Sequence, residues 1–189
     1  VNATLESPPP RRVGGTWGTH LVLPRRDSGP RGFLYAAARR DRRPFFLMPW
    51  DDALLVGTTD VKLEGREPDA VTVQPWEIDY LLEETNALFP DARYAADDVL
   101  ATTVGVRPLP ASDRRAGAVT RRHFLVDHGA QDGIPGLASV VGGKLTTCRS
   151  LAEDAVDRAL RLLGEAPRPC PTASVAGAPD LARLRAALA

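Results

Sequence analysis

The six residues Gly142-Gly143-Lys144-Leu145-Thr146-Thr147 stand between a short apolar run and the start of a helical pattern. Two glycines let a ligand reach backbone N–H groups, a helix start supplies partial positive charge, and the Lys and Thr side chains add donors at the same place. That chemistry is an anion or cofactor cradle. It is not the mononucleotide P-loop, because Ala138 stands where that loop needs glycine and Leu145 where it needs Ser or Thr. A plain glycine turn carrying a surface lysine fits the same spacing, and the residues alone do not choose. His20 opens a strand directly after Gly18 and Thr19. An imidazole projecting from a sheet end into a cleft can accept a proton near neutral pH, although a lone histidine there can equally serve as a structural hydrogen-bonder. Arg107 lies inside the apolar string Gly105-Val106-Arg107-Pro108-Leu109. A guanidinium so placed must be paired, with a substrate phosphate or carboxylate or with an internal Asp. Arg121 and Arg122 follow on the next predicted strand, where alternation sends them to opposite faces, so at most one joins Arg107. His123 and His128 have no partner at metal spacing, and Cys148 and Cys170 form no CxxC pair, so neither a metal site nor a disulfide framework is expected.

The elements that must position these groups are readable in outline. Residues 1–12 hold Pro8, Pro9 and Pro10 and read as a loose lead-in. Four short apolar runs, 20–23, 33–37, 45–48 and 54–57, each ended by Pro, Gly or charge, predict an antiparallel meander, with Arg39 to Arg43 as a solvated hairpin tip. Residues 75–89 predict a helix: Pro75 in its first turn, Glu77 and Asp79 at its positive end, and Ile78, Leu81, Leu82, Thr85 and Leu88 on one face, stopped by Pro90. Strands are expected at 97–109 and 119–127, and a third at 137–141, apolar enough to be buried on both faces. A second helix is expected over 145–163, ended by Gly164, with Cys148, Leu151, Ala152, Ala155, Ala159 and Leu163 along one side. Residues 165–179 read as a Pro/Ala-rich linker, and 180–189 begin another helical pattern. No internal repeat is visible, and Gly15 and Gly18 lack the first glycine and the preceding strand that a dinucleotide fingerprint needs.

Composition narrows the function class. The 189 residues carry 24 Lys+Arg against 24 Asp+Glu and are 43% hydrophobic, which describes an ordinary folded domain with no net electrostatic pull toward nucleic acid. No apolar run approaches the roughly 20 residues of a bilayer span. With Val1 in first place and no export pattern after it, the chain reads as a piece of a longer protein of a reducing compartment. Lys62 and Lys144 are the only lysines among 24 basic residues, which makes each worth locating.

Six strings occur in an order that closely resembles the FAD-dependent glycerol-3-phosphate dehydrogenases: Thr19-His20-Leu21-Val22-Leu23-Pro24, Phe46-Leu47-Met48-Pro49-Trp50, Val56-Gly57-Thr58-Thr59-Asp60, Glu77-Ile78-Asp79-Tyr80-Leu81-Leu82, Gly105-Val106-Arg107-Pro108-Leu109 and Gly142-Gly143-Lys144-Leu145-Thr146-Thr147. The resemblance implies an α+β / α/β architecture: an antiparallel substrate-binding sheet with a helix, plus the closing strand–helix segment of a Rossmann-like FAD-binding domain. Residues 13–103 would belong to the substrate lobe, 104–164 to the flavin domain, and 165–189 to a linker and the start of a C-terminal helical domain. It further implies oxidation of glycerol 3-phosphate to dihydroxyacetone phosphate with FAD as cofactor and quinone or oxygen as acceptor. A homodimer and a cytoplasmic protein peripheral to the inner face of the cell membrane would follow. Carried over residue by residue, His20 is the active-site histidine that takes the hydroxyl proton, and Arg107 and Arg121 bind the substrate phosphate. Lys144 is a cation beside flavin and substrate, and Gly142, Gly143, Lys144, Leu145, Thr146 and Thr147 face the cofactor.

Trp17 replaces the basic residue usual in that family before the Gly-x-His turn, and Cys148 replaces the aromatic usual after the Thr pair. The family's N-terminal glycine fingerprint and early substrate-binding arginine have no counterpart, so the chain by itself is expected to hold little flavin and to turn over negligibly. Two other readings compete: an amine or hydroxy-acid oxidase of the wider superfamily, which would use one carboxylate-binding arginine, and a noncatalytic binding fragment.

Overall fold

A computed structural model describes residues 5–112 and 118–169. The chain forms two compact units, Arg11–Thr120 and a second built from Val1–Pro10 with Arg121–Ala189. Each is described by itself. The helical pattern expected at 180–189 lies outside the described residues.

The first unit is an antiparallel sheet backed by one helix. Its strands are β1 (Thr16–Pro24), β2 (Leu34–Ala37), β3 (Pro44–Trp50), β4 (Ala53–Gly57), β5 (Val61–Lys62) and β6 (Ala101–Arg107), with helix α1 (Pro75–Leu88) between the last two. β2, β3 and β4 form the expected meander, but β1 leaves that order and lies between β4 and β6. The reason is its length. Nine residues, with Trp17, Leu21 and Leu23 buried, need partners on both edges. β4 pairs its second half from His20↔Gly57 to Pro24↔Ala53, and β5 pairs its start at Thr16↔Lys62. β6 runs along the other edge from Thr16↔Arg107 to Val22↔Ala101. β6 is paired to β1 over its whole length, so its residues Val104 to Arg107 lie in the sheet.

Alternation along the strands puts Leu21, Leu23, Phe45, Leu47, Leu54 and Val56 on the face that packs with Tyr80, Leu81 and Leu82 of α1. Each such side chain contributes about 1.5–3 kcal/mol of burial. Helix α1 begins where Pro75 and the Gln74 cap place it, with the Glu77 carboxylate accepting the Gln74 N–H at 3.0 Å, and ends at Phe89 before Pro90. Its buried face departs from the expected stripe. Leu88 is exposed, and Glu77 and Glu84 are buried. Glu84 accepts the backbone N–H groups of Arg39 (2.7 Å) and Arg40 (3.1 Å), and Tyr80 donates its hydroxyl to Asp41 at 3.0 Å. The basic hairpin tip is therefore clamped to the helix and is more than a solvated turn.

The second unit contains β7 (Phe124–Asp127), a short helix α2 (His128–Asp132), β8 (Ala138–Val141) and α3 (Cys148–Leu162). β7 and β8 pair antiparallel from Phe124↔Val141 to Asp127↔Ala138. Three expectations change here. β7 starts at Phe124, so Arg121 and Arg122 precede the strand and strand alternation does not separate them. β8 has Ala138 and Val140 exposed and Val141 buried, with β7 its one partner strand among the described residues. The second helix opens with a 3-10 turn, Leu145–Thr147, and none of its residues is fully buried. His128, which spacing left without a role, is fully buried and bonds Asp132 at 2.7 Å and Ser139 at 2.8 Å, tying α2 to β8.

Candidate functional site

In the sheet unit, His20 stands opposite Gly57 on β4, which in turn stands opposite Phe46 on β3. All three lie on the sheet face away from α1. There His20 borders a hollow of about 220 Å³ lined by Phe33, Phe46, Met48, Leu55 and Gly57. Desolvation by these apolar walls, helped by the positive field of Arg107, holds the imidazole pKa below its ordinary 6.5. At neutral pH His20 is therefore an uncharged base.

Arg107 sits at the end of β6 with its guanidinium laid over Gly18. It donates to Asp60 Oδ1 at 3.1 Å, Thr58 Oγ1 at 3.1 Å, the Thr59 carbonyl at 3.3 Å and Thr16 Oγ1 at 3.4 Å. The internal Asp that sequence could not exclude is thus Asp60, itself buried, while the arginine keeps about a quarter of its side chain exposed. The loop that carries these acceptors is itself anchored. Arg43 donates to the Thr58 and Asp60 carbonyls, and the Thr59 hydroxyl donates to Glu77 Oε1 at 2.5 Å while accepting the Thr19 N–H at 2.8 Å. Glu77 is fully buried and also accepts from Trp17 Nε1 at 3.3 Å. A buried carboxylate with three donors is satisfied, so it serves as a rigid post and not as a reactive acid. Trp17, the departure from the family pattern, fills that donor position. Lys62, the other lysine, donates to the Ser112 carbonyl at 3.3 Å.

In the second unit, Arg121, Arg122, His123, Lys144, Thr147, Ser150 and Asp154 line one hollow of about 560 Å³. Arg121 and Lys144 thus line the same hollow, and Arg122 joins them, against the strand-alternation argument, because the segment is not strand. His123 bonds Asp154 at 2.8 Å on the same wall. The turn above is built by glycine geometry: Gly142 has φ 76° and Gly143 φ 105°. A Cβ at Gly142 would lie 2.9 Å from the Arg122 carbonyl, and one at Gly143 would lie 3.0 Å from Leu151 Cδ1. Lys144, Leu145, Thr146 and Thr147 are all exposed, Leu145 at 89%. A bared backbone, an ammonium, hydroxyls and one apolar side chain on a single turn fit the polar edge and flat face of a flavin. The residues this reading needed but sequence missed are Gly18, Gly57, Asp60, Glu77 and Arg122. Only contacts across strands reveal the first four. The Val56-Gly57-Thr58-Thr59-Asp60 string was visible but gave no hint which side chain it served.

No helix among the described residues is long and apolar enough to cross a membrane, and no cluster among them could hold a metal ion. The glycerol-3-phosphate dehydrogenase of Synechocystis is 45% identical over 163 residues, covering 86% of this chain and 29% of that protein. The D-erythritol 1-phosphate dehydrogenase of Brucella abortus is 36% identical over 149 residues, covering 78% of this chain and 29% of its own length. The solved structure of glycerol-3-phosphate dehydrogenase from Bacillus halodurans complexed with FAD matches with a TM-score of 0.69 at 30% identity, over 91% of this chain and 33% of that one. The chain thus spans about 30% of the length of the curated relatives it matches. The sequence profile of the FAD dependent oxidoreductases matches residues 1–149. With that match over most of its length, the strand that offers a neutral histidine, and the glycine turn that bares its backbone, the chain belongs to the family of FAD-dependent oxidoreductases.

Proposed function

We propose that this chain is one part of a flavin enzyme that oxidises the secondary alcohol of a phosphorylated polyol, glycerol 3-phosphate first, to the ketone. The observation that supports it most is the hollow in which Arg121, Arg122 and Lys144 converge with the Thr147 and Ser150 hydroxyls. Cations and hydroxyl donors in one hollow are what a phosphate dianion requires, and guanidinium forks bind it bidentately. Arg107, held by Asp60 and the Thr58 hydroxyl, is the other arginine assigned to the substrate phosphate. His20 accepts the C2 hydroxyl proton on a ring nitrogen as the carbon is oxidised, which its neutral state permits. Lys144 would supply a charge that favours the developing alkoxide. Gly142 to Thr147 would hold FAD, which supplies the hydride acceptor when bound. Electrons then leave to a quinone or to oxygen, and the intact protein works as a homodimer at the inner face of the cell membrane.

The test is steady-state kinetics of the full-length holoenzyme. Arg121→Ala is expected to raise KM for glycerol 3-phosphate by about 10- to 100-fold, the loss of one charged fork of about 1.4–3 kcal/mol, while leaving unphosphorylated glycerol equally poor. Unchanged KM in Arg121→Ala and Lys144→Ala together would remove the phosphate reading.

A further inference from the structure

We propose that Gly57 is the positioning residue of the proton acceptor: its bare α-carbon is the seat on which the His20 imidazole lies, and a side chain there would displace the ring. The proposal rests on the reading of His20 as the base. In register, His20, Gly57 and Phe46 form one row across β1, β4 and β3. A Cβ built on Gly57 falls well inside contact with His20 Cδ2, 2.8 Å from Cγ and 3.1 Å from the Thr19 carbonyl. The ring thus occupies the space that any other residue would fill. Gly57 is not among the residues with positive φ, although its peptide bond to Thr58 is cis. Gly57 closes β4, and a glycine in a strand marks a bulge, a bend or close approach by another group. Here the group is an imidazole.

The seat also sets what surrounds the ring. Phe33, Phe46, Met48 and Leu55 line the hollow with it. β3 and β4 carry no titratable side chain, β2 carries Tyr35, and β6 carries Arg107, which is the charge whose field acts on His20. An imidazole seated against Gly57 in that hollow stays uncharged and keeps a fixed direction toward a substrate hydroxyl. One lifted off the seat gains solvent and loses direction.

The experiment compares wild type, Gly57→Ala, His20→Gln and the double variant as full-length holoenzymes. It also measures the pH midpoint of hydrogen–deuterium exchange at the His20 ring carbon by peptide mass spectrometry, which needs no turnover. Gly57→Ala is expected to lower kcat by about 10- to 100-fold with KM within about twofold, in the range of a misplaced general base. The His20 midpoint should rise toward 6.5, and in the His20→Gln background the glycine substitution should cost nothing more. Wild-type kcat in Gly57→Ala, the same fold loss in both backgrounds, or an unmoved midpoint would each overturn the proposal. Should Gly57→Ala fail to fold, Phe46→Ala opens the same seat without adding atoms. It must raise the midpoint, and an unmoved value there overturns the proposal too. Full activity in His20→Gln would instead defeat the base reading, and the seat would then stand or fall on the exchange midpoint alone.

Discussion

Two of the groups that sequence singled out depend on glycines beside them, and each glycine gives a different handle. Gly18 lies under Arg107, and a Cβ there would collide with Arg107 Nη2, Thr58 Oγ1 and the Thr59 carbonyl. Gly18→Ala should therefore move the guanidinium off Asp60, with KM for the phosphorylated substrate of the full-length enzyme rising about tenfold, the equivalent of about 1.4 kcal/mol. A KM equal to that of wild type would show that Arg107 does not hold substrate. His20 offers a second handle through pH. Its folded pKa is below 6.5, so as pH falls through the ordinary imidazole range the unfolded chain takes up the proton first. Stability present above about pH 6.5 should fall as acid is added and level off once the folded pKa is passed. Thermal melts between pH 7.5 and 5 should show a steeper decline for the chain with His20 than for His20→Gln, and parallel curves would contradict the assigned direction. Both residues were visible in sequence. Their glycine partners were visible only as letters, because a missing side chain has meaning only when something occupies its place.

At the scale of elements, α1 was the most legible part of the chain. A 3.6-residue apolar period, Pro75 at its start and Pro90 beyond its end are local signals that do not depend on the rest of the fold. What the helix does for the site was not legible. In sequence Glu77 reads only as a carboxylate at the helix's positive end, whereas in the fold it is fully buried and joins Gln74, Trp17 and Thr59. Through Thr59 it fixes the loop whose carbonyl and hydroxyls hold Arg107. Glu77→Ala should destabilise the chain by about 3–5 kcal/mol, since three buried donors lose their acceptor, and a midpoint shift in urea corresponding to under 1 kcal/mol would refute the post. The strands were read less well than the helix. Short apolar runs announce strands but not their neighbours, and β1 found its partners in β4 and β6 by length and burial, not by sequence order. Around β8 the reading failed for a related reason. The apolar five-residue run 137–141 looks like a strand buried on both faces, whereas here its one strand partner among the described residues is β7.

At the scale of the molecule, the described residues hold a sheet unit bearing His20 and Arg107 and a second unit bearing Arg121 and Lys144, and neither holds a strand followed by a dinucleotide glycine fingerprint. On the proposed reading FAD would meet this chain at one exposed turn, so the purified 189-residue chain should carry well under one equivalent of flavin by its visible spectrum and reduce no dye with glycerol 3-phosphate. Stoichiometric flavin or measurable dye reduction would show that this turn suffices. The family was legible in sequence because its motifs are runs of adjacent residues whose order survives without coordinates. The amphipathic helix, the absence of a membrane-spanning run and the glycine cradle were likewise determined locally, by period, length and backbone freedom. Which acid pairs with Arg107, which surface leaves the His20 imidazole neutral, and whether Arg121 and Arg122 share a wall were decided only in three dimensions. Hydrogen bonds, desolvation and excluded volume act between residues that the chain separates by tens of positions, and adjacency in sequence carries no record of them.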